Sequence, residues 1–522
     1  MGIFSKDKLK DKLKKFLRWE ELFIVTFFLV AIFSFLIGTG TLNSGYHYID
    51  DHEMLGIKTM IKNDGLLDSI IGTVKNDLNI RFRPMYFVHR TLEMKIFGAN
   101  FFALSFYTGL LAVVTFCFFY WGLRKMKYSI LCSLFFVFLI FVGPQSAIWW
   151  RLGPNETLGM FFLGLAFLFL SKCSEEKNYK RNNWLFIFFL ALASLSKEAF
   201  IVIIPAFIFL KIWNEKKVFA ISFKEAFKKN RSSLILLVLM LIELLIIKFF
   251  VGTNKIGYAG VPSSFGEFIV GVERIILSSH SLFLWWMPMG FSLLFYWIDI
   301  FLQKKSWKKE LMEIVIPTLI FSLAIVLPNI LMHAKSGMTE RYLLPTTFGL
   351  AFVLVVFLAN TKNLFLKSIM FFIIFSFLQN SFSVAKTNAK IFAQEGMNAN
   401  NLLSAVKVNS NSNSKILLVA DPVDRYEVSN SIKIYLGYYG RENLYGYPIM
   451  REYVTDFEKS LRDGWLEWFK GKMLADMNGQ PDVIIIFDKF QTDQFFSAGV
   501  LEKNKYKEIT GGDQPSLVFV RE

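Results

Sequence analysis

Long hydrophobic runs recur along the first 385 residues and alternate with short charged segments. Runs such as "FFALSFYTGLLAVVTFCFFYWGL" and "SLILLVLMLIELLIIKFFV" contain almost no charge. Each is long enough to cross a hydrocarbon layer of about 30 Å as a helix. We therefore predict a polytopic α-helical membrane protein with about 11 transmembrane helices. The first run is too long for a removed signal peptide and lacks its small-residue cleavage site.

The hydrophobic runs define the positions of the predicted spans. They lie near residues 21–40, 101–123, 128–143, 155–171, 184–195, 199–213, 232–252, 280–302, 311–333, 342–359 and 364–384. The fifth and sixth runs are short, and together they could instead form one long broken helix. We predict two spans there, because a single span would place several basic loops outside the cell.

Composition and charge support this topology. Hydrophobic residues make up 54% of the 522 residues and include 59 Phe, which is more apolar surface than a soluble protein buries. The basic amino-terminal segment "KDKLKDKLKKFLRW" is expected to stay cytoplasmic as an amphipathic helix on anionic lipid. The predicted cytoplasmic loops are "RKMK", "SKCSEEKNYKRN", "NEKKVFAISFKEAFKKNR", "QKKSWKKE" and "NTKN". The net charge of +16 therefore reflects topology and gives no reason to expect nucleic acid as a partner.

The loops on the other predicted face carry ionisable residues close to the span ends. Such groups are costly to bury at membrane depth and often gather around a shared polar site. The alternative for any one of them is that its side chain snorkels to the interface. Their number on one face favours a common reaction chamber. These residues are Asp50, Asp51, Glu53, Arg81, Arg83, Arg151, Glu156, Lys197, Glu198, Arg274, His333, Glu340 and Arg341.

The first outer loop, residues 41–100, is predicted to contain interfacial helices. Within residues 54–80, polar residues occupy one side of a helix and apolar residues the other, as in helices that lie in a membrane interface. Pro84 restricts Arg83 to an extended conformation, so we expect the chain to turn there before the next span. The apolar positions are Leu66, Leu67, Ile70, Ile71, Val74 and Leu78.

Residues 386–522 differ in composition and are predicted to form a soluble α/β domain outside the cell. Strand patterns at 415–421 and 481–488 alternate with helical patterns, which indicates a partly parallel sheet. Without a G-x-G-x-x-G motif after the first strand, a dinucleotide site is not supported. Asp421, Asp424 and Asp488 follow strands, where α/β ligand sites tend to form. We expect this domain to act as a lid or to bind the acceptor.

The order of several short motifs resembles the GT-C glycosyltransferases, among them protein O-mannosyltransferases and their bacterial relatives. An acidic pair follows the first span, and "RP" precedes the second. "WWRLGPNETLG", "SLSKEAF" and "TERYLLP" then follow in order on the same predicted face. The resemblance covers roughly residues 1–385 and implies a GT-C transmembrane catalytic domain there. It also implies transfer of a sugar from a polyprenyl-phosphate carrier in a single inverting displacement.

The resemblance places the catalytic base in the acidic pair. A hydroxyl nucleophile needs a carboxylate that accepts its proton, and Asp51 or Asp50 is the candidate, with Glu53 as a weaker one. Adjacent Asp side chains point in different directions, so we expect the second to orient a cation. The alternative is that both Asp residues cap the following helix.

The departing lipid phosphate requires cationic groups, because fixed donors that meet its negative charge stabilise the transition state. Arg341 and Arg83 are the leading candidates, followed by Lys197 and Arg151, since a guanidinium can bind two phosphate oxygens. The alternative is a structural network of these cations with nearby carboxylates. The supporting carboxylates in this assignment are Glu156, Glu198 and Glu340.

The sequence also bears on cofactors, on binding partners and on alternative functions. The three Cys show no zinc spacing, and the sequence leaves open whether a divalent cation binds the Asp pair and a phosphate. The expected partners are a polyprenyl mono- or diphosphate sugar, membrane lipid and an unspecified protein, lipid or glycan acceptor. The expected location is the bacterial plasma membrane.

The alternative functions are a lipid-linked glycan transporter or flippase, a glycan polymerase or ligase, and a non-enzymatic envelope partner.

Overall fold

The computed structural model describes residues 6–251, 264–277, 283–335, 340–453, 456–487, 489–510 and 517–522. It divides into two compact units, each formed by several chain segments. The membrane unit comprises Met1–Thr39, Ile70–Arg90 and Ser105–Ala389, and the second unit comprises Gly40–Ser69, Thr91–Leu104 and Lys390–Glu522.

Helices account for most of the described chain. In order they are α1 (Lys6–Thr39), α2 (His52–Asp64), α3 (Leu66–Leu78), α4 (Pro84–Phe97), α5 (Phe101–Lys125), α6 (Ile130–Phe141), α7 (Glu156–Lys172), α8 (Tyr179–Ser194), α9 (Ile204–Phe219), α10 (Phe223–Lys229), α11 (Leu234–Ile246), α12 (Phe265–Leu277), α13 (Phe283–Leu302), α14 (Trp307–Glu310), α15 (Ile316–His333), α16 (Leu344–Asn360), α17 (Leu364–Val408), α18 (Tyr426–Tyr438), α19 (Asp456–Trp468) and α20 (Lys489–Ser497). The strands are β1 (Ile416–Ala420), β2 (Leu444–Pro448), β3 (Val483–Ile486), β4 (Tyr506–Glu508) and β5 (Leu517–Arg521).

Each of the eleven predicted spans overlaps a helix of the described chain. Six helical segments of the described chain are long and apolar enough to cross a membrane: Trp19–Thr39, Phe101–Lys125, Arg231–Val251, Leu284–Leu302, Trp307–His333 and Leu364–Val408. Two shorter apolar helices, α6 and α16, accompany them. The chain is therefore an integral membrane protein, while the count of about 11 crossings stays a prediction. The fifth and sixth runs form separate helices, α8 and α9.

Helix α16 lies at the centre of the membrane unit. Its residues from Leu344 to Leu358 are all buried, as expected for a helix that is apolar all round. Phe348 packs against rings from three other helices, with centroid distances of 5.5 Å to Phe119, 5.1 Å to Phe136 and 5.6 Å to Phe167. Peripheral helices instead leave large apolar side chains exposed, which suits contact with lipid.

The second unit contains a five-stranded sheet in the order β2-β1-β3-β5-β4. Strand β1 pairs in parallel with β2 and β3, while β5 is antiparallel to β3 and β4. This confirms the predicted partly parallel sheet. Asp421 accepts the backbone N–H groups of Val423 and Asp424 and pairs with Arg451, whereas Asp488 lies outside the described residues. Residue 385 falls within α17, and the domain boundary placed there stays a prediction.

The predicted helical segment at 54–80 forms two helices, α2 and α3. Gly65 separates them with a φ of +85°, a backbone conformation that a residue with a Cβ rarely adopts. In the second unit, α2 packs against α18, where the Ser431 hydroxyl lies 2.8 Å from His52 Nδ1. Helix α4 begins at Pro84, as the restriction on Arg83 predicts.

Candidate functional site

A buried ion pair joins two distant parts of the membrane unit. Glu156 is the first residue of α7, and Lys197 lies in the break between α8 and the short turn Glu198–Phe200. The Lys197 ammonium contacts Glu156 Oε1, and their side chains are only 5% and 1% exposed. Each charge stabilises the other, since either charge alone would be costly to bury.

Arg341 and Tyr342 complete a cationic cluster around this pair. Both lie in the turn Glu340–Leu343, immediately before α16. The Lys197 Nζ atom lies 4.6 Å from the centre of the Tyr342 ring, and Arg341 Nη2 donates to the Tyr342 hydroxyl over 3.3 Å. The charges of Lys197 and Arg341 both act on Glu156. The structure therefore brings together three residues that the sequence assigned to one site.

His333 also belongs to this cluster, although the sequence placed it only on the predicted outer face and gave it no role in binding or catalysis. It ends α15 and is 2% exposed, with its ring centroid 5.4 Å from that of Tyr342. Within the described part of the chain, neither ring nitrogen makes a hydrogen bond. Buried polar groups normally have partners, so this imidazole suits a polar ligand. Its position at a span end on the same predicted face was the only signal for it.

Hydrogen bonds fix the turn that carries Arg341. Thr346 Oγ1 donates to Asn329 Oδ1 over 2.6 Å, and Asn329 Nδ2 donates to the Tyr342 carbonyl over 3.3 Å. These bonds connect α15, the turn and α16. Arg341 and Tyr342 are thus connected by hydrogen bonds to the buried start of α16.

Arg83, the other leading phosphate candidate, is paired with Asp77. Its Nη2 and Nε atoms lie 2.5 Å and 3.1 Å from Asp77 Oδ1, and its backbone N–H donates to Oδ2 over 3.0 Å. Three such bonds close the connection between α3 and α4. Asp77 was missed from the sequence because a single carboxylate near a helix end resembles an ordinary surface charge.

The remaining assigned residues of the membrane unit lie around these groups. Glu198 Oε1 accepts the backbone N–H of Phe82 over 3.4 Å. The Arg151 guanidinium lies 5.2 Å from the Trp150 ring centre. Glu340 is exposed and has a φ of +60°, which is uncommon outside glycine.

An apolar cavity of about 100 Å³ lies in the same unit, lined by residues of α1, α5, α6 and α17 and by Trp149 and Trp150. Trp150 directly precedes Arg151. The turn Pro144–Trp149, which forms part of the wall, packs against the turn that carries Arg341. The cluster of Glu156, Lys197, His333, Arg341 and Tyr342, hereafter the cationic cluster, therefore has an aromatic, apolar neighbour.

The acidic pair from the first outer loop belongs to the second unit. Asp51 is 1% exposed, and its Oδ2 atom accepts the backbone N–H of His47 over 3.0 Å. It precedes α2 without a side-chain cap bond to that helix, so the capping alternative does not hold for Asp51. Asp50 is partly exposed with a φ of +68°, and Glu53 is exposed in the first turn of α2.

Aromatic and histidine side chains surround this pair within the second unit. The Tyr435 hydroxyl donates to the His47 carbonyl over 2.5 Å, and burial together with the charge of Asp51 raises the pKa of that phenol. Burial lowers the pKa of His52, against the opposing charge of Asp50. In the parts of the chain that the structure describes, no three His, Cys, Asp or Glu residues are grouped as metal ligands.

Comparisons with known proteins identify the fold. No family model matches the chain, and no curated protein matches it. The crystal structure of ArnT from Cupriavidus metallidurans in the apo state aligns with 95% of this chain and 98% of its own, at 12% identity and a TM-score of 0.50. The same protein bound to undecaprenyl phosphate aligns with 95% and 97%, at 10% identity and a TM-score of 0.48. The fold is thus the GT-C fold of ArnT, which confirms the predicted fold class.

Proposed function

We propose that this chain is a membrane glycosyltransferase that transfers a sugar from a polyprenyl-phosphate-linked donor to an acceptor outside the cell. The observation that carries the proposal is the convergence of Lys197, Arg341 and Glu156 around Tyr342, beside His333. The GT-C fold supports the same class of reaction. The sugar and the acceptor are left unspecified.

The charge balance of the cationic cluster favours an anionic ligand. Its cations are Lys197 and Arg341, which both act on the Glu156 carboxylate, and the charge of Arg81 also acts on His333. A lipid phosphate gains negative charge as it leaves the sugar, and a fixed guanidinium stabilises that charge. We therefore assign Arg341 to the donor phosphate and the Lys197–Glu156 pair to holding the cluster in place.

The neighbouring apolar cavity fits the other half of such a donor. A polyprenyl chain requires an apolar, aromatic wall next to the phosphate site. The turn Pro144–Trp149 borders that cavity and packs against the turn with Arg341. An amphipathic donor could therefore bind with its phosphate at Arg341 and its first isoprene units against Trp149 and Trp150.

The base of the reaction is a separate part of the proposal. Asp50 is favoured over Asp51, because Asp51 is buried and already accepts a backbone N–H. Asp50 is more accessible and has an unusual backbone conformation, a feature often found at functional sites. We further propose a bacterial plasma-membrane location with a cytoplasmic amino terminus and an external carboxy-terminal domain, as the basic loops predict.

The test is transfer of a radiolabelled sugar from native lipid carriers into acceptor, in membranes that contain equal amounts of each variant. Arg341→Ala should lower kcat/KM for the donor by roughly 100- to 1,000-fold, the usual effect of removing one charge-stabilising group. Arg181→Ala, which removes an exposed guanidinium near the beginning of α8 on the opposite predicted face, should leave transfer unchanged.

Two outcomes would contradict the proposal at different levels. Wild-type activity in Arg341→Ala would remove Arg341 from the donor site and leave the enzyme class open. Absence of transfer by the wild type from any carrier lipid, in membranes that support a known transferase, would overturn the glycosyltransferase function itself.

A further inference from the structure

A basic cavity of about 510 Å³ lies where three predicted cytoplasmic segments meet in the membrane unit. Its wall comes from the connection between α5 and α6, the end of α9, the end of α16 and the beginning of α17. Lys127, Lys217 and Lys367 line it. Two of these lysines belong to the predicted loops "RKMK" and "NEKK", so loops far apart in sequence supply charge to one place.

The charge of the cavity wall is uniformly positive. Among the described residues that line it, none is Asp or Glu. Glu310 and Glu313 are near enough to act on Lys217, yet neither lines the cavity. The side chains of Lys127 and Lys217 are exposed, so their ammonium groups can reach a ligand at the mouth.

A buried donor in the cavity has no partner in the protein. Asn214 lines the cavity and is 7% exposed, and its side-chain Nδ2 atom makes no hydrogen bond to any described residue. Burying an unsatisfied amide is costly, and a ligand oxygen would satisfy it. Helices α6 and α17 also begin beside this cavity.

The cavity has aromatic residues of the kind found at the level of lipid headgroups. The Lys217 Nζ atom lies 5.2 Å from the centre of the Trp213 ring, and Tyr128 is a further lining residue. Trp and Tyr are enriched at the membrane–water interface. Basic sites between helices on the cytoplasmic side are also suited to anionic lipid headgroups.

The basic cavity is distinct from the cationic cluster. Helix α16 starts directly after the turn with Arg341 and ends at Asn360, which lines the cavity. A helix of this length, 17 residues, spans about 25 Å. The two sites therefore lie at opposite ends of the same buried helix, and a ligand in the cavity does not contact the donor site.

We propose that the basic cavity binds the phosphate of an anionic membrane phospholipid. The lysine ammonium groups and the Asn214 amide would contact the phosphate oxygens, and the acyl chains would extend along the outer surface of the unit. Inorganic phosphate carries the same contacting group without the chains, so the two sources can be separated by experiment.

The test is native mass spectrometry of the full-length protein in detergent with phosphatidylglycerol, phosphatidylcholine or inorganic phosphate. The wild type should retain phosphatidylglycerol in preference to phosphatidylcholine. A variant with Lys127→Gln, Lys217→Gln and Lys367→Gln should bind phosphatidylglycerol on the order of 100-fold more weakly. A control with Lys180→Gln, Lys224→Gln and Lys309→Gln removes three exposed lysines of the same predicted face and should bind as the wild type does.

A single variant, Lys217→Glu, provides a second measure if the triple variant is unstable, and should also weaken phosphatidylglycerol binding. Equal retention by the cavity and control variants would overturn the site. Equal retention of phosphatidylcholine would overturn the requirement for an anionic headgroup. Displacement of phosphatidylglycerol by an equimolar amount of inorganic phosphate would overturn the assignment to a lipid, since the acyl chains would then contribute nothing.

Discussion

Lys197 and Glu156 form an ion pair that is almost fully withdrawn from solvent, although 41 positions separate them in the chain. Lys197 also lies against the Tyr342 ring. A buried pair of this kind gives little net stability compared with two apolar residues, but losing one partner leaves an uncompensated charge. Replacing one residue of the pair should therefore lower stability much more than replacing both with apolar residues.

Lys197→Met is expected to destabilise the protein by about 3–5 kcal/mol, because it removes the ammonium that contacts the buried Glu156 carboxylate. The double variant Lys197→Met with Glu156→Leu should recover most of that loss. Thermal unfolding in detergent measures both. The matched control is Lys125→Met, which breaks the exposed pair with Glu175 and should cost at most about 1 kcal/mol. A double variant no more stable than Lys197→Met would show that the two charges are not coupled.

The Arg83–Asp77 pair gives a second prediction. Arg83→Leu and Asp77→Leu should each lower stability by about 1.5–3 kcal/mol, because each removes charge-assisted hydrogen bonds that close the connection between α3 and α4. Thermal unfolding should give similar losses for both. Sugar transfer then tests whether Arg83 also binds the donor. A higher KM for the donor in Arg83→Leu than in Asp77→Leu would assign Arg83 to the donor site. Equal KM values in the two variants would limit Arg83 to a structural role.

The helical fold was largely predictable from the sequence, because runs of apolar residues determine helices in lipid. The same pattern could not fix how many helices cross the membrane, since α8 and α9 are shorter than a typical span. At the site, Glu156, Lys197 and Arg341 were identified by charge type and predicted face. Asp77 was not, because the sequence pattern does not show that its carboxylate faces Arg83 six positions later. His333 was placed only on the predicted face, because its contact with the Tyr342 ring depends on how α15 and the turn before α16 pack.

Asp50 and Asp51 should respond in opposite ways to substitution. Asp50→Gly should fold at least as stably as the wild type, because glycine adopts a φ of +68° without strain, yet it should lose sugar transfer if Asp50 is the base. Asp51→Ala should lower stability by about 1–3 kcal/mol, because the His47 N–H loses its acceptor. Full transfer by Asp50→Gly would exclude Asp50 as the base. If Asp50→Gly loses transfer, Asp50→Asn distinguishes the loss of the charge from an effect on the backbone.

Protonation of His52 should make the stability of the protein depend on pH. Burial holds the pKa of His52 below its ordinary value, so the unfolded chain binds a proton at this residue more readily than the folded one. His52 is therefore neutral in the folded state near pH 7, and its contribution to stability is lost as pH falls below about 6.5, the usual pKa of an unfolded His. Thermal unfolding between pH 5 and 8 should show this loss in the wild type, and His52→Gln should flatten the curve across that range. An identical slope in both proteins would assign the pH dependence to other groups.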